Sequence, residues 1–159
     1  MGTEPADGFE GGFEGPEGRA FGKGFPASRT RDVGMILDTN ALSALADKDP
    51  ALLERLSSAR VLAVTYVTVG EYLFGILASK KRRELQSWLE AFLERAKILH
   101  CDHATLLHYA QIRDELKKVG KPIPANDCWI AALVRQHRMG ILSKDRHFDH
   151  VAGIKRIEW

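Results

Sequence analysis

From Met35 onward, short apolar segments alternate with longer segments of helical periodicity, and this alternation limits the possible folds more than any other feature. Strands are predicted at 35–37, 61–67, 97–99, 141–143 and 154–157. Helices are predicted at 40–46, after the cap Asp49-Pro50, from Thr68 to about residue 78, and at 81–96, 106–119 and 127–134, with Gly120 and Gly140 ending the last two. The pattern predicts an α/β sandwich with a mainly parallel sheet.

Residues 1–34 have a different composition from the rest of the chain. They hold nine of the fourteen glycines, three of the six prolines and four of the seven phenylalanines, without helical or strand periodicity. Such a segment buries too little apolar surface to offset its ordering entropy. We therefore expect a disordered leader at 1–34 and a folded domain at 35–159. The sequence leaves open whether the leader is a native tail, a tag or an extension before the true start.

Charge and cysteine content limit the choice of partner and compartment. The net charge is +2, but residues 35–159 alone contain nineteen basic and fifteen acidic residues, an excess that suits a polyanionic partner. Cys101 and Cys128 form no disulfide framework, which favours a reducing cytosol. No apolar run approaches the roughly 20 residues of a membrane span, and no secretory signal opens the chain. We expect a soluble, cytoplasmic protein.

Four acidic residues stand where predicted strands end or the following helices begin: Asp38, Glu71, Asp127 and Asp145. Each has a structural alternative. Glu71 fits a capping box with Thr68, and the three aspartates fit caps or first turns of helices. Taken together they favour a functional interpretation, because four carboxylates at one sheet edge would repel one another by several kcal/mol. A divalent cation bound by oxygen ligands would remove that repulsion.

The segments around these acids resemble the motifs of PIN-domain ribonucleases, in order and with matching spacing across residues 35–159. The first is Met35-Ile36-Leu37-Asp38-Thr39-Asn40, and the second is Val67-Thr68-Val69-Gly70-Glu71-Tyr72. The third is Asn126-Asp127-Cys128-Trp129-Ile130-Ala131, and the fourth is Ser143-Lys144-Asp145-Arg146-His147-Phe148. The ending Ile154-Lys155-Arg156-Ile157-Glu158-Trp159 looks like the terminal strand of the VapC toxins within that family.

The resemblance implies a three-layer α/β/α sandwich and a set of roles for the acids. Asp38, Glu71, Asp127 and Asp145 would be the metal-binding and catalytic residues, supported by Thr39, Asn40 and Ser143. The cofactor would be Mg²⁺ or Mn²⁺, as one ion or two, and the reaction endonucleolytic RNA cleavage leaving 5′-phosphate and 3′-hydroxyl ends. The fourth motif departs from the family's frequent threonine-asparagine-aspartate, because Ser143 and Lys144 precede Asp145.

The resemblance also implies partners. They are a VapB-like antitoxin, a second copy of the chain in a homodimer, and operator DNA only through the antitoxin complex, with no membrane partner. Two other functions stay open: a PIN-fold RNA-binding or scaffolding module without catalysis, and a DNA-directed nuclease. The intact acidic quartet argues against a pure binder, because carboxylates repel phosphates.

Three other features have a functional and a structural interpretation. The basic run 80–83 could grip phosphates, but a solvated loop and helix start is favoured. Trp129 lies beside Asp127 in the sequence, and we expect it to be a packing residue, as we do Trp88 and Phe92. Cys101-Asp102-His103 lacks a second pair of metal ligands, so Asp102 is expected to cap the next helix.

Overall fold

The computed structural model describes residues 34–159. The predicted leader therefore lies outside the described residues, apart from Gly34, which is the first residue of the first strand rather than the last of the leader.

The described chain alternates strands with helices throughout, as the sequence predicts. The strands are β1 (Gly34–Leu37), β2 (Val61–Thr65), β3 (Lys97–Leu99), β4 (Gly140–Leu142) and β5 (Lys155–Ile157). The α-helices are α1 (Thr39–Ala46), α2 (Pro50–Leu56), α3 (Tyr66–Ile76), α4 (Arg82–Leu93), α5 (His103–Lys118) and α6 (Ala125–His137), and a 3₁₀ segment spans Arg146–His150. None of the described helices is long and apolar enough to cross a membrane.

The five strands form one sheet in the order β3-β2-β1-β4-β5, and every neighbouring pair is parallel. The chain builds outward from β1 to β3, then crosses over and continues on the other side with β4 and β5. The connections that leave β1 and β4 therefore diverge. In open parallel sheets this switch point creates a crevice at the carboxyl ends of the strands, where ligands bind.

Alternate residues of each strand point to opposite faces of the sheet, and each face has its own core. Ile36, Ala63, Leu99 and Ile141 pack with α5 and α6 residues. Met35, Leu37, Val64 and Leu142 pack with residues of α1 to α4. The fold is thus the predicted three-layer α/β/α sandwich, and its sheet is entirely parallel over the described strands.

Several predicted boundaries differ from the structure by one to three residues, and capping explains two of these differences. The strand β2 ends at Thr65 rather than at residue 67, because the Thr65 hydroxyl accepts a hydrogen bond from the amide of Thr68 and begins α3 early. The helix α6 ends before Arg138, which adopts a left-handed conformation (φ 54°), so Gly140 is free to begin β4.

The caps predicted at Asp49 and Asp102 form. Asp49 accepts hydrogen bonds from the amides of Ala51 and Leu52, with Pro50 in the first position of α2. Asp102 and Thr105 form a reciprocal capping box at the start of α5, which is the structural role expected for Asp102.

Candidate active site

The carboxyl edge of the sheet carries the four predicted acids. Asp38 directly follows β1, and Asp145 follows β4 after two intervening residues. Asp127 is the third residue of α6, in its first turn. Glu71 is the sixth residue of α3, so it lies in the second turn of that helix and not in the first, as the sequence had suggested.

Asp38 is the most buried of these acids, with 5% of its surface exposed. Its Oδ2 accepts hydrogen bonds from Ser143 Oγ at 2.7 Å and Asn40 Nδ2 at 2.8 Å. It occupies the N-cap position of α1 without making a side-chain capping bond, so capping does not explain its presence. Burial raises the pKa of Asp38; the charges of Glu71 and Asp145 add to this, while the bond from Ser143 opposes it.

Ser143 joins the two diverging connections. Its buried hydroxyl donates to Asp38 and accepts from the amide of Asp145 at 2.9 Å. Asn40 completes the link, because its Nδ2 lies 3.2 Å from Ser143 Oγ and its Oδ1 accepts from the amide of Lys144 at 3.1 Å. These hydrogen bonds, all from uncharged donors, hold the start of α1 against the loop after β4 and fix the carboxylate of Asp38.

Glu71 is held from two sides. Its Oε2 accepts from Thr39 Oγ1 at 2.6 Å, and its Oε1 accepts from Asn126 Nδ2 at 2.7 Å. The capping box with Thr68 does not form, because the Thr68 hydroxyl instead lies 2.9 Å from that of Thr65. Asn126 belongs to the third sequence motif, but no local pattern indicates its role. Its contact depends on how α6 packs beside α3.

Asp127 and Asp145 face each other with His147 between them. His147 Nδ1 lies 2.9 Å from Asp127 Oδ2 and 3.2 Å from Asp145 Oδ1. Burial raises the pKa of Asp127, a hydrogen bond from His147 opposes this, and the charges of Asp145 and Asp38 add to it. Asp145 also caps the 3₁₀ segment by accepting from the amide of His147, so its structural and site roles coexist.

The site therefore brings two pairs of acids to one crevice. Ligand atoms of Asp127, Asp145 and His147 lie within 4.8 Å of one another, a spacing that can hold a metal ion. Asp38 is coupled by charge to Glu71, Asp145 and Asp127. Sequence reasoning missed His147. The available signal was its place in the fourth motif, two residues after Asp145.

Trp129 and Lys144 each contact an aromatic ring. Trp129 stacks on Tyr109 with ring centroids 3.7 Å apart, which confirms packing, and it also lines a groove with Tyr66, Phe74 and Glu71. Lys144 Nζ lies 4.5 Å from the centre of the Trp159 ring, a cation–π contact.

The helix α4 aromatics are packing residues, as expected, whereas the exposure of the basic run is compatible with both of its interpretations. Residues 80–83 are exposed in the turn and first residues of α4. The rings of Trp88 and Phe92 stack with their centroids 5.6 Å apart. Phe92 belongs to the core on the α1 to α4 side of the sheet, and Trp88 packs against that core.

Comparison with known proteins identifies the family. Residues 35–154 match the family model of the PIN domain. The ribonuclease VapC2 of Haemophilus influenzae is 31% identical over 127 residues, which cover 78% of this chain and 96% of that protein. The tRNA(fMet)-specific endonuclease VapC of Shigella flexneri is 28% identical with the same coverage.

A solved structure agrees as well. VapBC2 from Rickettsia felis, crystallised with a DNA fragment from its promoter, superposes with a TM-score of 0.70 at 25% identity, covering 79% of this chain and 98% of that one. The chain therefore belongs to the PIN-domain family and, within it, to the VapC ribonucleases.

Proposed function

We propose that this protein is an endoribonuclease that hydrolyses RNA with the help of Mg²⁺ or Mn²⁺ and is neutralised by an antitoxin protein. The observation that carries the proposal is the convergence of Asp38, Glu71, Asp127 and Asp145 at the switch point of the sheet. Two of these carboxyls, Asp38 and Asp127, have raised pKa values, so the folded protein holds charge there at a cost. Membership of the VapC ribonucleases supplies the reaction class.

The donor set fits a hard divalent cation. The four acids offer carboxylate oxygens, the ligands that Mg²⁺ and Mn²⁺ prefer. The hydrogen bonds that fix Asp38 and Glu71 come from the neutral side chains of Ser143, Asn40, Thr39 and Asn126. Neutral donors orient these carboxylates without neutralising them, so their charge stays available to a cation.

A bound cation would screen the phosphodiester charge and acidify a water molecule. The protein's own contribution is preorganisation. Ser143 and Asn40 fix the carboxylate of Asp38, and Thr39 and Asn126 fix that of Glu71. Thr39, Asn40 and Ser143 are therefore assigned as positioning residues, and the four acids as metal ligands.

Two protein partners complete the proposal: a VapB-like antitoxin and a second copy of the chain. An arginine of the antitoxin would compete with metal for the four acids, because guanidinium pairs bidentately with carboxylate. An amphipathic antitoxin segment would cover the groove beside Glu71, whose lining includes exposed Tyr66 and Phe74. Operator DNA would be bound only through the antitoxin complex.

The non-catalytic alternative makes a different prediction from the nuclease. A binding module would tolerate loss of the acidic charge, and its binding to RNA would even gain from that loss. A DNA-directed nuclease would cleave DNA in place of RNA under the same conditions.

The test is expression of the full chain in cells, with sequencing of newly formed RNA 5′ ends. We expect growth arrest and new ends with the wild type and neither with Asp38→Asn. Asp114→Asn is the matched control, because Asp114 is an exposed residue of α5 paired with Lys118. Co-expression of the cognate antitoxin should restore growth. Equal RNA cleavage by wild type and Asp38→Asn would overturn the proposal.

A further inference from the structure

His147 has a position in the site that the acidic quartet alone does not explain. Its Nδ1 is directed between two carboxylates, 2.9 Å from Asp127 Oδ2 and 3.2 Å from Asp145 Oδ1. Its side chain is 45% exposed, whereas those of Asp127 and Asp145 are 15% and 37% exposed. The imidazole thus lies at the open side of a more buried pair of acids.

The backbone holds this ring in place. The amide of His147 donates to Asp145 Oδ1 at 2.8 Å, and the next residue, Phe148, is buried in the core beneath α6. The anchored Phe148 on one side and the capped turn on the other fix the backbone of His147 beside the two acids. Its position is a property of the fold and not of a loose surface loop.

The spacing matches that of ligands around one ion. In octahedral coordination with bonds of about 2.1 Å, neighbouring ligand atoms lie about 3.0 Å apart. The two distances from His147 Nδ1 to the carboxylate oxygens bracket that value. A cation could therefore be held by these three side chains with little movement.

We propose that His147 is a nitrogen ligand of the metal in this site and that it biases the site toward Mn²⁺ over Mg²⁺. The inference rests on the proposed metal-dependent nuclease. Mg²⁺ retains a strong preference for oxygen ligands, whereas Mn²⁺ lies higher in the order of affinity for nitrogen donors and accepts imidazole more readily. A site with oxygen ligands alone would discriminate less between the two ions.

A competing role for His147 gives the opposite result on mutation. As a cation that only pairs with Asp127 and Asp145, it would compete with the metal, and its removal would strengthen metal binding. As a ligand, its removal weakens Mn²⁺ binding, and weakens Mg²⁺ binding less.

The experiment is pulsed electron paramagnetic resonance of Mn²⁺ bound to the full chain. We expect a ¹⁴N coupling typical of imidazole in the wild type, its loss in His147→Gln, and its retention in His150→Gln. His150 is an exposed residue of the same 3₁₀ segment and serves as the matched control. Calorimetric titration should show Mn²⁺ affinity falling by roughly tenfold or more in His147→Gln.

The outcomes separate this inference from the function on which it rests. Bound Mn²⁺ without nitrogen coupling in the wild type would overturn the role of His147 and leave the acidic site standing. Unchanged or stronger Mn²⁺ binding by His147→Gln would do the same. No Mn²⁺ binding by the wild type would overturn the metal site itself. A wild-type spectrum without nitrogen coupling rules out the assignment of His147 even if the variant fails to fold.

Discussion

The pKa values of carboxyl groups shift in opposite directions in two regions of this molecule. Away from the crevice, Asp149 accepts two hydrogen bonds from the guanidinium of Arg156, and Glu115 accepts two from Arg135. These arginines hold the pKa of Asp149 and of Glu115 below the ordinary range. In the crevice, burial raises the pKa of Asp38 and of Asp127.

The difference shows where the fold leaves charge uncompensated. Among the described residues, the aspartates and glutamates with lowered pKa values are paired with arginine or cap helices, namely Asp49, Asp102, Glu115 and Asp149. The two with raised values face other acids. A structural carboxylate gains from its partner in the folded chain alone, whereas we propose that a bound cation compensates the site carboxylates.

The largest expected effect separates the two regions by activity. Asp38→Asn and Asp127→Asn should each lower the RNA cleavage rate by about 100-fold or more, because each removes a ligand charge while preserving side-chain volume. Asp149→Asn should retain most activity. Cleavage assays with purified proteins check this, with circular dichroism to confirm folding. If a crevice variant cleaved RNA as fast as Asp149→Asn, the crevice carboxylate that it lacks would not be needed for cleavage.

Metal binding should distinguish the regions by stability. Mn²⁺ at about 100 times its dissociation constant stabilises a folded protein by about 2.7 kcal/mol, which is several degrees in melting temperature. The wild type and Asp149→Asn should show this rise, and Asp38→Asn should show much less. An equal rise in all three proteins would mean that the ion binds elsewhere.

How far the sequence predicted this molecule depends on the range of the interactions. Local patterns predict the order of strands and helices along the chain and the caps at Asp49 and Asp102, and the structure has both. Local patterns also identify the four acids where strands end and helices begin. The links from Thr39 to Glu71 and from Ser143 to Asp38 join residues far apart in the chain, so no local pattern shows them. The same holds for His147, whose role depends on how α6 packs beside the loop after β4.

Without metal, substitutions in the two regions should change stability in opposite directions. Asp38→Asn should raise the melting temperature by a few degrees, because it removes a buried charge that repels its neighbours. Asp149→Asn should lower it by a similar or smaller amount, because it weakens an exposed ion pair with Arg156. Thermal scans in chelator measure both. A lower melting temperature in both variants would show that the charge of Asp38 does not destabilise the folded protein.

The smallest expected effect is a change with pH in the stability difference between Asp38→Asn and the wild type. A raised pKa means that the folded state holds the proton of Asp38 more tightly than the unfolded state does. Stability from this group is present below the ordinary aspartate pKa and is lost as pH rises through the raised value. The melting advantage of Asp38→Asn over the wild type should therefore grow from acidic to neutral pH. An advantage that shrinks over this range would show that the pKa of Asp38 is not raised.

We propose that the four acids of the crevice support RNA cleavage only when they hold a divalent cation. The direct measurement is RNA cleavage by the full chain after removal of metal with EDTA, followed by addition of Mn²⁺ and mapping of product ends. We predict no cleavage in EDTA and recovery with Mn²⁺, giving 5′-phosphate ends that Asp38→Asn does not produce. Cleavage at an undiminished rate in EDTA would show that the protein does not need a divalent cation.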